Sequence, residues 1–353
     1  MNEPGLDFST GGGDPLGILA GSAHVLGSTT ALTLDPGAVS VFAARYAGGS
    51  FPPPDHDGPE EALHCRFLPP GRFLNYLLVL EALNFSFWDD EPRWRVDWEG
   101  RQYDGYWALA AALRRALVHD GIPLWDARWM AELENADAAR LLRGCGRPGE
   151  RPVPMLEQRV ENLREAGRVL LQNFAGEFAV LLEAAGGNAV NLVRLVVEHF
   201  PSFRDEAVWN GRPVPFHKRA QILAADLARL YPAGPDDQGG LRLADLDQLT
   251  AFADYKVPQV LCREGIIVPS EQLRGRMDAG EELAPGCEEE LALRAGTVWG
   301  CEWIVRALNK SGGTGTAPVT APVTAADVDH LLWCAGQDKS GLRPYHRTRT
   351  IYY

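Results

Sequence analysis

Residues 249–261, which read LTAFADYKVPQVL, are the stretch that best indicates the fold. An apolar approach leads into a short polar turn, and Pro258 then opens a second helical pattern that Gly265 ends. This order predicts two helices joined by a hairpin, the first over residues 243–251. Asp254 falls in the turn, where its carboxylate can accept hydrogen bonds from the amides of the following helix. A turn aspartate is ordinarily such a cap, so the pattern alone leaves the choice between a cap and a reactive carboxylate open.

Helical periodicity extends over most of the chain beyond Gly105. Apolar residues recur three and four positions apart, and Gly or Pro residues separate one pattern from the next. Nearer the N-terminus, Asp35 followed by Pro36 is typical of a helix start. The patterns predict a mainly α protein, with helices over residues 109–117, 156–171, 178–185, 189–200, 219–230, 258–263, 288–308 and 325–334.

One short segment has the alternation of a β hairpin instead. Residues 94–103 read WRVDWEGRQY, and the alternation runs on both sides of Glu99 and Gly100, a pair that suits a tight turn. We therefore expect a small β element near residues 94–104 inside the helical domain.

Clusters of Pro and Gly divide the chain. Residues 1–17 and 48–59 read as loops or a frayed terminus, and residues 311–318 read as a flexible surface loop. These Pro- and Gly-rich segments predict a variable N-terminal region over residues 1–60 and one helical domain over residues 61–353.

The charge balance limits the partners that this chain can have. Its 47 acidic residues exceed its 34 basic ones, which gives a formal net charge of -13 at pH 7. Such a field repels polyanions, so we expect no tight binding of duplex DNA or whole tRNA. A few Arg or Lys side chains can still hold one phosphate of a small ligand.

Cysteine usage and hydropathy predict a cytoplasmic protein that binds no metal. The six cysteines include no CxxC pair and no Cys/His cluster at zinc-finger spacing, as expected of reduced thiols. The N-terminus has no signal-peptide pattern, and no apolar run reaches the length of a membrane span.

No familiar cofactor motif occurs either: the sequence lacks a phosphate loop, HExxH and GxSxG. We therefore expect no cofactor.

Residues 84–90, NFSFWDD, can stack a planar base, although such an aromatic cluster is more often core. His64 is flanked by apolar residues, which is more typical of a hydrogen-bonded core histidine than of one that binds a ligand.

Two residue pairs are further candidates for ligand contact. Lys218 and Arg219 stand at the start of a helix and suit a phosphate, although solvated surface charge is the ordinary alternative. Asp329 and Trp333 lie four apart on one helical face, so an acid and a ring can address one ligand together. An exposed acid beside a buried ring is the alternative for that pair.

Six multi-residue blocks, in chain order, resemble the queuosine salvage protein family, the queuosine 5′-phosphate N-glycosylase/hydrolases. The resemblance runs from about residue 60 to the last residue. The blocks are NFSFW at 84–88, GYWAL at 105–109, FPSFRD at 200–205, KRAQIL at 218–223, FADYKVPQ at 252–259 and HRTRTIYY at 346–353.

Members of this family look like helix-hairpin-helix DNA glycosylases in fold but act on a free nucleotide, from which they release queuine and ribose 5-phosphate. The resemblance implies that Asp254 is the catalytic carboxylate and that Phe252 and His64 belong to the base pocket. It implies that Asp329 is a polar contact to queuine. The phosphate ligands are not implied by the resemblance, and the proposal of Lys218 and Arg219 rests on their chemistry alone.

This chemistry suits the residue types. Breaking the bond between C1′ and N9 develops positive charge on the ribose, which an ionised Asp254 would stabilise or attack. Queuine is a 7-deazaguanine, so assistance to the leaving group must come through hydrogen bonds to its pyrimidine edge, for which Asp329 is suited. The prediction is hydrolysis of queuosine 5′-phosphate for queuine salvage in tRNA modification. The alternatives are an enzyme like the DNA base glycosylases, which needs a basic DNA face, and a non-catalytic helical module that binds a modified nucleoside.

Overall fold

The computed structural model describes residues 7–10, 13–46, 59–233, 240–311 and 322–353. Within these residues the chain forms 14 α-helices and three two-stranded antiparallel sheets. The predicted mainly α class is confirmed. Residues 48–58 and 312–318 of the predicted loops, and part of the one at 1–17, lie outside the described residues.

The helices have the following bounds: α1 Ile18–Leu26, α2 Pro36–Ala44, α3 Pro70–Ala82, α4 Gly105–Val118, α5 Ala127–Ala131, α6 Asn135–Leu141, α7 Leu156–Asn173, α8 Phe178–Ala185, α9 Ala189–His199, α10 Lys218–Leu230, α11 Val257–Arg263, α12 Glu271–Asp278, α13 Glu288–Ser311 and α14 Ala325–Ala335. Short 3₁₀ helices span Pro59–Leu63, Pro201–Phe203 and Leu246–Gln248. The strands are β1 Leu32–Leu34, β2 Val96–Trp98, β3 Arg101–Tyr103, β4 Glu206–Trp209, β5 Arg212–Pro215 and β6 Ile267–Pro269.

The strands pair in three separate antiparallel sheets, β1 with β6, β2 with β3 and β4 with β5. The predicted hairpin is confirmed: Val96 pairs with Tyr103, and Glu99 and Gly100 have φ values of 47° and 78°, as a tight hairpin turn requires. The helix start at Asp35 is confirmed too, because its carboxylate accepts a hydrogen bond from the Gly37 amide at 2.7 Å.

The chain divides into two compact units. The first unit combines Met1–Asp55, Asp205–Lys218 and Asp245–Arg349. The second unit combines His56–Arg204, Arg219–Ala244 and Thr350–Tyr353.

The core of the first unit surrounds the long helix α13, which packs against α1, α2, α11 and α14. Leu291 and Trp299 of this helix are fully buried, and the Trp299 ring nitrogen donates a hydrogen bond to the carbonyl of Leu19 at 3.0 Å. A Cβ atom at Gly296 would lie 3.3 Å from the side chain of Ile267, so the glycine lets β6 approach the helix closely. Helix α13 is therefore the support on which α11 and α14 are held.

The second unit has its own core around α3, α4 and α7. Residues 76–80 and 108–113 are fully buried, so α3 and α4 are enclosed over these stretches. Helix α5 lies directly on α7 at Gly167, where a Cβ atom would come within 2.3 Å of the Ala131 amide nitrogen. Even alanine cannot fit there unless the backbone moves.

The helix predicted over residues 243–251 is wrong, although the structure describes all of these residues. A 3₁₀ turn at Leu246–Gln248 leads instead into residues 249–254, which have no regular secondary structure. Residues 249–255 are buried without interruption, whereas an amphipathic helix keeps one face exposed. Only the second helix of the predicted hairpin is present, as α11.

Candidate active site

Asp254 lies at the end of the irregular segment, one turn before the body of α11. Its Oδ1 atom accepts hydrogen bonds from the amides of Lys256 at 2.8 Å and Val257 at 2.9 Å. The carboxylate therefore caps α11, which was the ordinary interpretation of a turn aspartate. Both amides bind Oδ1, and within the described residues Oδ2 forms no hydrogen bond, so capping leaves one oxygen for another partner.

Burial dominates the electrostatics of this carboxylate. Asp254 is 7% exposed, and desolvation raises its pKa above the ordinary value, while Lys218 and the two capping amides act in the opposite direction. The carboxylate thus has a cation within electrostatic reach and remains harder to ionise than an exposed aspartic acid.

Asp329 of α14 is brought into the same neighbourhood. It is 6% exposed, and its Oδ2 atom accepts a hydrogen bond from the Phe252 amide at 2.9 Å. Burial and then the charge of Asp254 raise the pKa of Asp329 well above its usual range, while Lys218 lowers it. The structure therefore joins two buried acids that stand 75 positions apart in the sequence, and it rejects the alternative of an exposed Asp329.

The aromatic candidates of the first unit lie beside these acids in the chain. Phe252 is buried, with 9% of its surface exposed. Trp333 is partly buried, packs against the core and stacks with His330, with ring centroids 6.5 Å apart. One turn of α14 separates Trp333 from Asp329, as the sequence spacing predicted.

Lys218 is the first residue of α10 and is buried rather than solvated, with 6% of its surface exposed. Its amide donates a hydrogen bond to Oδ2 of Asp205 at 3.1 Å. The charge of Lys218 lowers the pKa of both Asp254 and Asp329, and the charge of Lys256 lowers that of Asp254 as well.

A buried ion pair that sequence reasoning missed lies next to this group. The guanidinium of Arg294 binds Asp205 through two hydrogen bonds, of 2.9 and 2.5 Å, and donates from Nε to the Ala253 carbonyl at 3.1 Å. Arg294 stands among consecutive buried positions of α13, and Asp205 closes the FPSFRD block. A charged residue on a buried helical face was the signal that was available in the sequence.

His64 belongs to the second unit and is buried, as its apolar neighbours predicted. Its Nδ1 atom lies 3.0 Å from Oε2 of Glu61, and its Nε2 atom lies 2.8 Å from the hydroxyl of Tyr106. Burial raises the pKa of Glu61, but hydrogen bonds and charge from His64 and Arg229 outweigh it and bring this pKa to about 2. Glu61 is therefore ionised at neutral pH and holds the imidazole in place.

Arg219 also belongs to the second unit, and its environment argues against the predicted phosphate contact. The side chain is 1% exposed and donates to the backbone carbonyls of Glu81 and Ala82, each at 2.9 Å, and to that of Ser202. A guanidinium committed to carbonyl oxygens supports the backbone and has no exposed face for an anion.

The aromatic cluster at residues 84–90 is core, as the ordinary interpretation of such clusters has it. Phe85, Phe87 and Trp88 are 1%, 7% and 2% exposed, and the guanidinium of Arg159 lies 4.2 Å from the centre of the Phe85 ring. The cluster stabilises the second unit through burial and cation–π contact.

Within the described ranges, no group of three or more His, Cys, Asp or Glu side chains is arranged to hold a metal ion. None of the helices in that part of the chain combines the length and the apolar composition needed to cross a membrane.

Comparison with known proteins places the chain in a family. The family model described as queuosine salvage protein matches residues 67–353. A Sphaerobacter thermophilus protein named queuosine 5′-phosphate N-glycosylase/hydrolase is 44% identical over 97% of this chain and 99% of its own length. Proteins of the same name from Bos taurus and Schizosaccharomyces pombe are 35% and 30% identical, each over 79% of this chain and over 81% and 83% of their own lengths. With a match of this extent, added to the blocks that surround Asp254, the chain belongs to the queuosine salvage protein family.

Proposed function

We propose that this chain is a hydrolase that cleaves the N-glycosidic bond of queuosine 5′-phosphate and releases queuine and ribose 5-phosphate. The observation that carries the proposal is the 44% identity over 97% of the chain with a relative of that name. The buried pair Asp254 and Asp329, with Lys218 as a cation that acts on both acids, supports it, because cleavage of a glycosidic bond needs carboxylates in a shielded site.

In the proposed reaction Asp254 faces the anomeric carbon. As the bond between C1′ and N9 breaks, its electron pair goes to the base, and water supplies a hydroxyl group to C1′ and a proton to the base. The ionised carboxylate stabilises the positive charge that develops on the ribose, or it attacks C1′ and is displaced by water.

This charge accounts for part of the barrier only. A unit charge pair about 4 Å apart at an effective dielectric of about 20 is worth roughly 4 kcal/mol, or about a thousandfold in rate. Enzymes lower their barriers by about 8 to 23 kcal/mol. Positioning of the substrate and assistance to the leaving group must provide the rest.

For the base we propose stacking on Phe252 and Trp333 and hydrogen bonding to Asp329. The role of His64 in the base pocket stays a prediction that rests on the family resemblance. The raised pKa of Asp329 extends the pH range over which this acid keeps its proton and donates to an acceptor on the base. In its ionised form it accepts N–H groups of the base or pairs with the amine on the queuine side chain.

Lys218 and the backbone amides at the start of α10 remain the candidates for the 5′-phosphate. Arg219 is the weaker candidate because its donors are bound to carbonyls. A comparison of Lys218→Met with wild type on queuosine and on queuosine 5′-phosphate tests this role. A phosphate contact predicts a larger loss on the nucleotide than on the nucleoside.

The function is tested by a release assay with three additions: queuosine 5′-phosphate, duplex DNA with a damaged base, and queuine alone. We expect free queuine from the nucleotide and no base from the DNA, measured by chromatography. Release from DNA alone would favour the DNA glycosylase alternative. Binding of queuine without release from any substrate would favour the non-catalytic module.

We further propose that the partner is the small nucleotide itself, with no duplex nucleic acid and no membrane involved, and that the reaction takes place in the cytoplasm. The net charge of -13 supports the exclusion of duplex nucleic acid. Fractionation of cells that express the chain, followed by the release assay on each fraction, tests the location.

A further inference from the structure

The ion pair of Asp205 and Arg294 connects two segments of the first unit. Each side chain is 3% exposed, and the two are joined by a pair of parallel hydrogen bonds, Nη1 to Oδ1 at 2.9 Å and Nη2 to Oδ2 at 2.5 Å. This bidentate arrangement fixes the orientation of the two groups as well as their distance.

Asp205 also binds the backbone of a candidate site residue, and Arg294 binds the backbone of the residue before another. Oδ2 of Asp205 accepts a hydrogen bond from the Lys218 amide at 3.1 Å. Nε of Arg294 donates to the carbonyl of Ala253, the residue before Asp254, at 3.1 Å. One ion pair thus joins the start of α10 to the segment that carries the carboxylate.

The surroundings of Arg294 keep it in one place. The guanidinium lies 3.9 Å from the centre of the Phe216 ring and 3.7 Å from Oε1 of Glu290. Burial and the charge of Arg294 lower the pKa of His346 to about 3, so this imidazole is neutral and adds no charge. A buried ion pair contributes little net stability, because the cost of desolvation offsets its Coulomb attraction. Stability alone is therefore a weak explanation for the pair.

We propose that Asp205 and Arg294 are positioning residues for the hydrolysis: their ion pair fixes Asp254 in place relative to Lys218. The inference rests on the proposed function as far as the effect on turnover is concerned. We call the ion pair of Asp205 and Arg294 the clamp. The geometric part of the proposal is that loss of the clamp moves Lys218 and Asp254 apart, and this part is independent of the substrate.

The clamp has a consequence for the pH profile. The charged or titratable groups that act on Asp254 are Lys218, Lys256 and Asp329, with the Cys301 thiol kept neutral because burial raises its pKa. The active form of Asp254 is ionised, so turnover rises as the pH passes its pKa from below. If Lys218 moves away, this pKa rises, and the acid limb of the profile moves to higher pH.

The test compares Arg294→Lys and Asp205→Asn with wild type. Lysine keeps the charge of Arg294 but loses the paired hydrogen bonds and the bond to Ala253, and asparagine keeps the shape of Asp205 but loses its charge. The titration of Asp254 is followed by ¹³C NMR of labelled aspartate carboxyl groups, assigned with Asp254→Asn. In both variants we expect Asp254 to titrate at higher pH, and kcat to fall by about tenfold or more with little change in KM.

Two further variants, a control and a double variant, complete the test. Arg276→Lys changes an arginine of the same unit that pairs with Glu281 and Glu289 near the surface, and it should leave the titration unchanged. In a Lys218→Met background, Arg294→Lys should shift the titration no further, because the clamp acts through Lys218. This comparison stays informative if Asp205→Asn folds poorly.

The outcomes separate the clamp from the function. An unchanged Asp254 titration in folded Arg294→Lys and Asp205→Asn overturns the clamp, whatever the activity. If the Asp254 titration shifts in the variants but the wild type releases no queuine from queuosine 5′-phosphate, the clamp stands and the proposed function is wrong.

Discussion

Asp254 shows how one side chain can serve both structure and chemistry. Its two capping bonds both end on Oδ1, so the cap and the proposed contact with ribose use different oxygens. We predict that Asp254→Asn keeps the cap, because the asparagine carbonyl still accepts both amides. Turnover should fall by about a thousandfold or more, since the charge is lost. Single-turnover release of queuine measures this loss.

Two measurements serve as controls for Asp254→Asn: its affinity for queuine, by calorimetry, and its unfolding midpoint in denaturant. Both should stay close to wild type. Turnover within a few-fold of wild type would remove the Asp254 charge from the mechanism.

Asp329 leads to a prediction about stability and pH. Its folded-state pKa is raised, so between the unfolded and the folded pKa the native state holds a proton that the unfolded state has lost. The free energy of unfolding therefore falls as the pH rises through this window, and this decrease is complete above the folded pKa. We predict that Asp329→Asn, which still accepts from Phe252, is more stable than wild type at pH 8 by about 1 kcal/mol or more.

The gain should shrink toward pH 4, where the carboxyl is protonated in both states. Urea unfolding at several pH values measures it, and Asp137→Asn at an exposed position of α6 is the matched control. A gain that is equal at pH 4 and pH 8 would contradict the assignment of the effect to a raised pKa.

At the scale of elements, local turn and cap residues predicted two elements correctly. The hairpin at residues 94–103 and the start of α2 were predicted from turn and cap residues, and both formed as expected. The hairpin of β4 and β5 was missed, although Asn210 and Gly211 form its turn with φ values of 46° and 76°. An Asn-Gly pair is among the strongest local signals for a hairpin, so this element was readable from the sequence.

Helix α14, which carries Asp329, begins with a capping box. The Asp327 amide donates to the hydroxyl of Thr324 at 3.2 Å, and the Asp327 carboxylate accepts from the Thr324 amide at 2.8 Å. We predict that Thr324→Ala lowers the free energy of unfolding by about 1 kcal/mol, measured in urea. Thr324→Ser keeps the hydroxyl and should be nearly neutral, so an equal loss in both variants would argue against the cap as the cause.

At the scale of the whole molecule, the net charge of -13 predicts how the chain meets nucleic acid. We expect no saturable binding of a labelled DNA duplex at about 0.15 M salt, because the general field repels phosphates and few counterions are released. Fluorescence anisotropy checks this, with a basic DNA-binding protein as the positive control. A dissociation constant below about 1 µM would revive the DNA glycosylase alternative.

The division into two units is a property that no local pattern predicts. The first unit is assembled from three separate segments. The middle segment, Asp205–Lys218, has only 14 residues. The sequence-based boundary at residue 60 follows composition, which reports on exposure and turns but not on which segments pack together.

The sequence by itself determined the mainly helical class, the hairpin at residues 94–103 and the family. Periodicity, caps and turn residues act over a few positions, so they can be read without the fold. The family blocks include Asp254, Phe252 and Lys218 and are recognised from their linear order alone.

Only the tertiary structure decided that residues 249–255 are irregular, that Asp329 meets the segment of Asp254, and that Arg219 binds carbonyls rather than standing free. Each of these depends on burial by residues far away in the chain, and burial sets both the pKa of an acid and the partners of an arginine. The opening stretch LTAFADYKVPQVL is helical only from Val257 onward, because the residues before it are enclosed on every side and α14 binds their backbone.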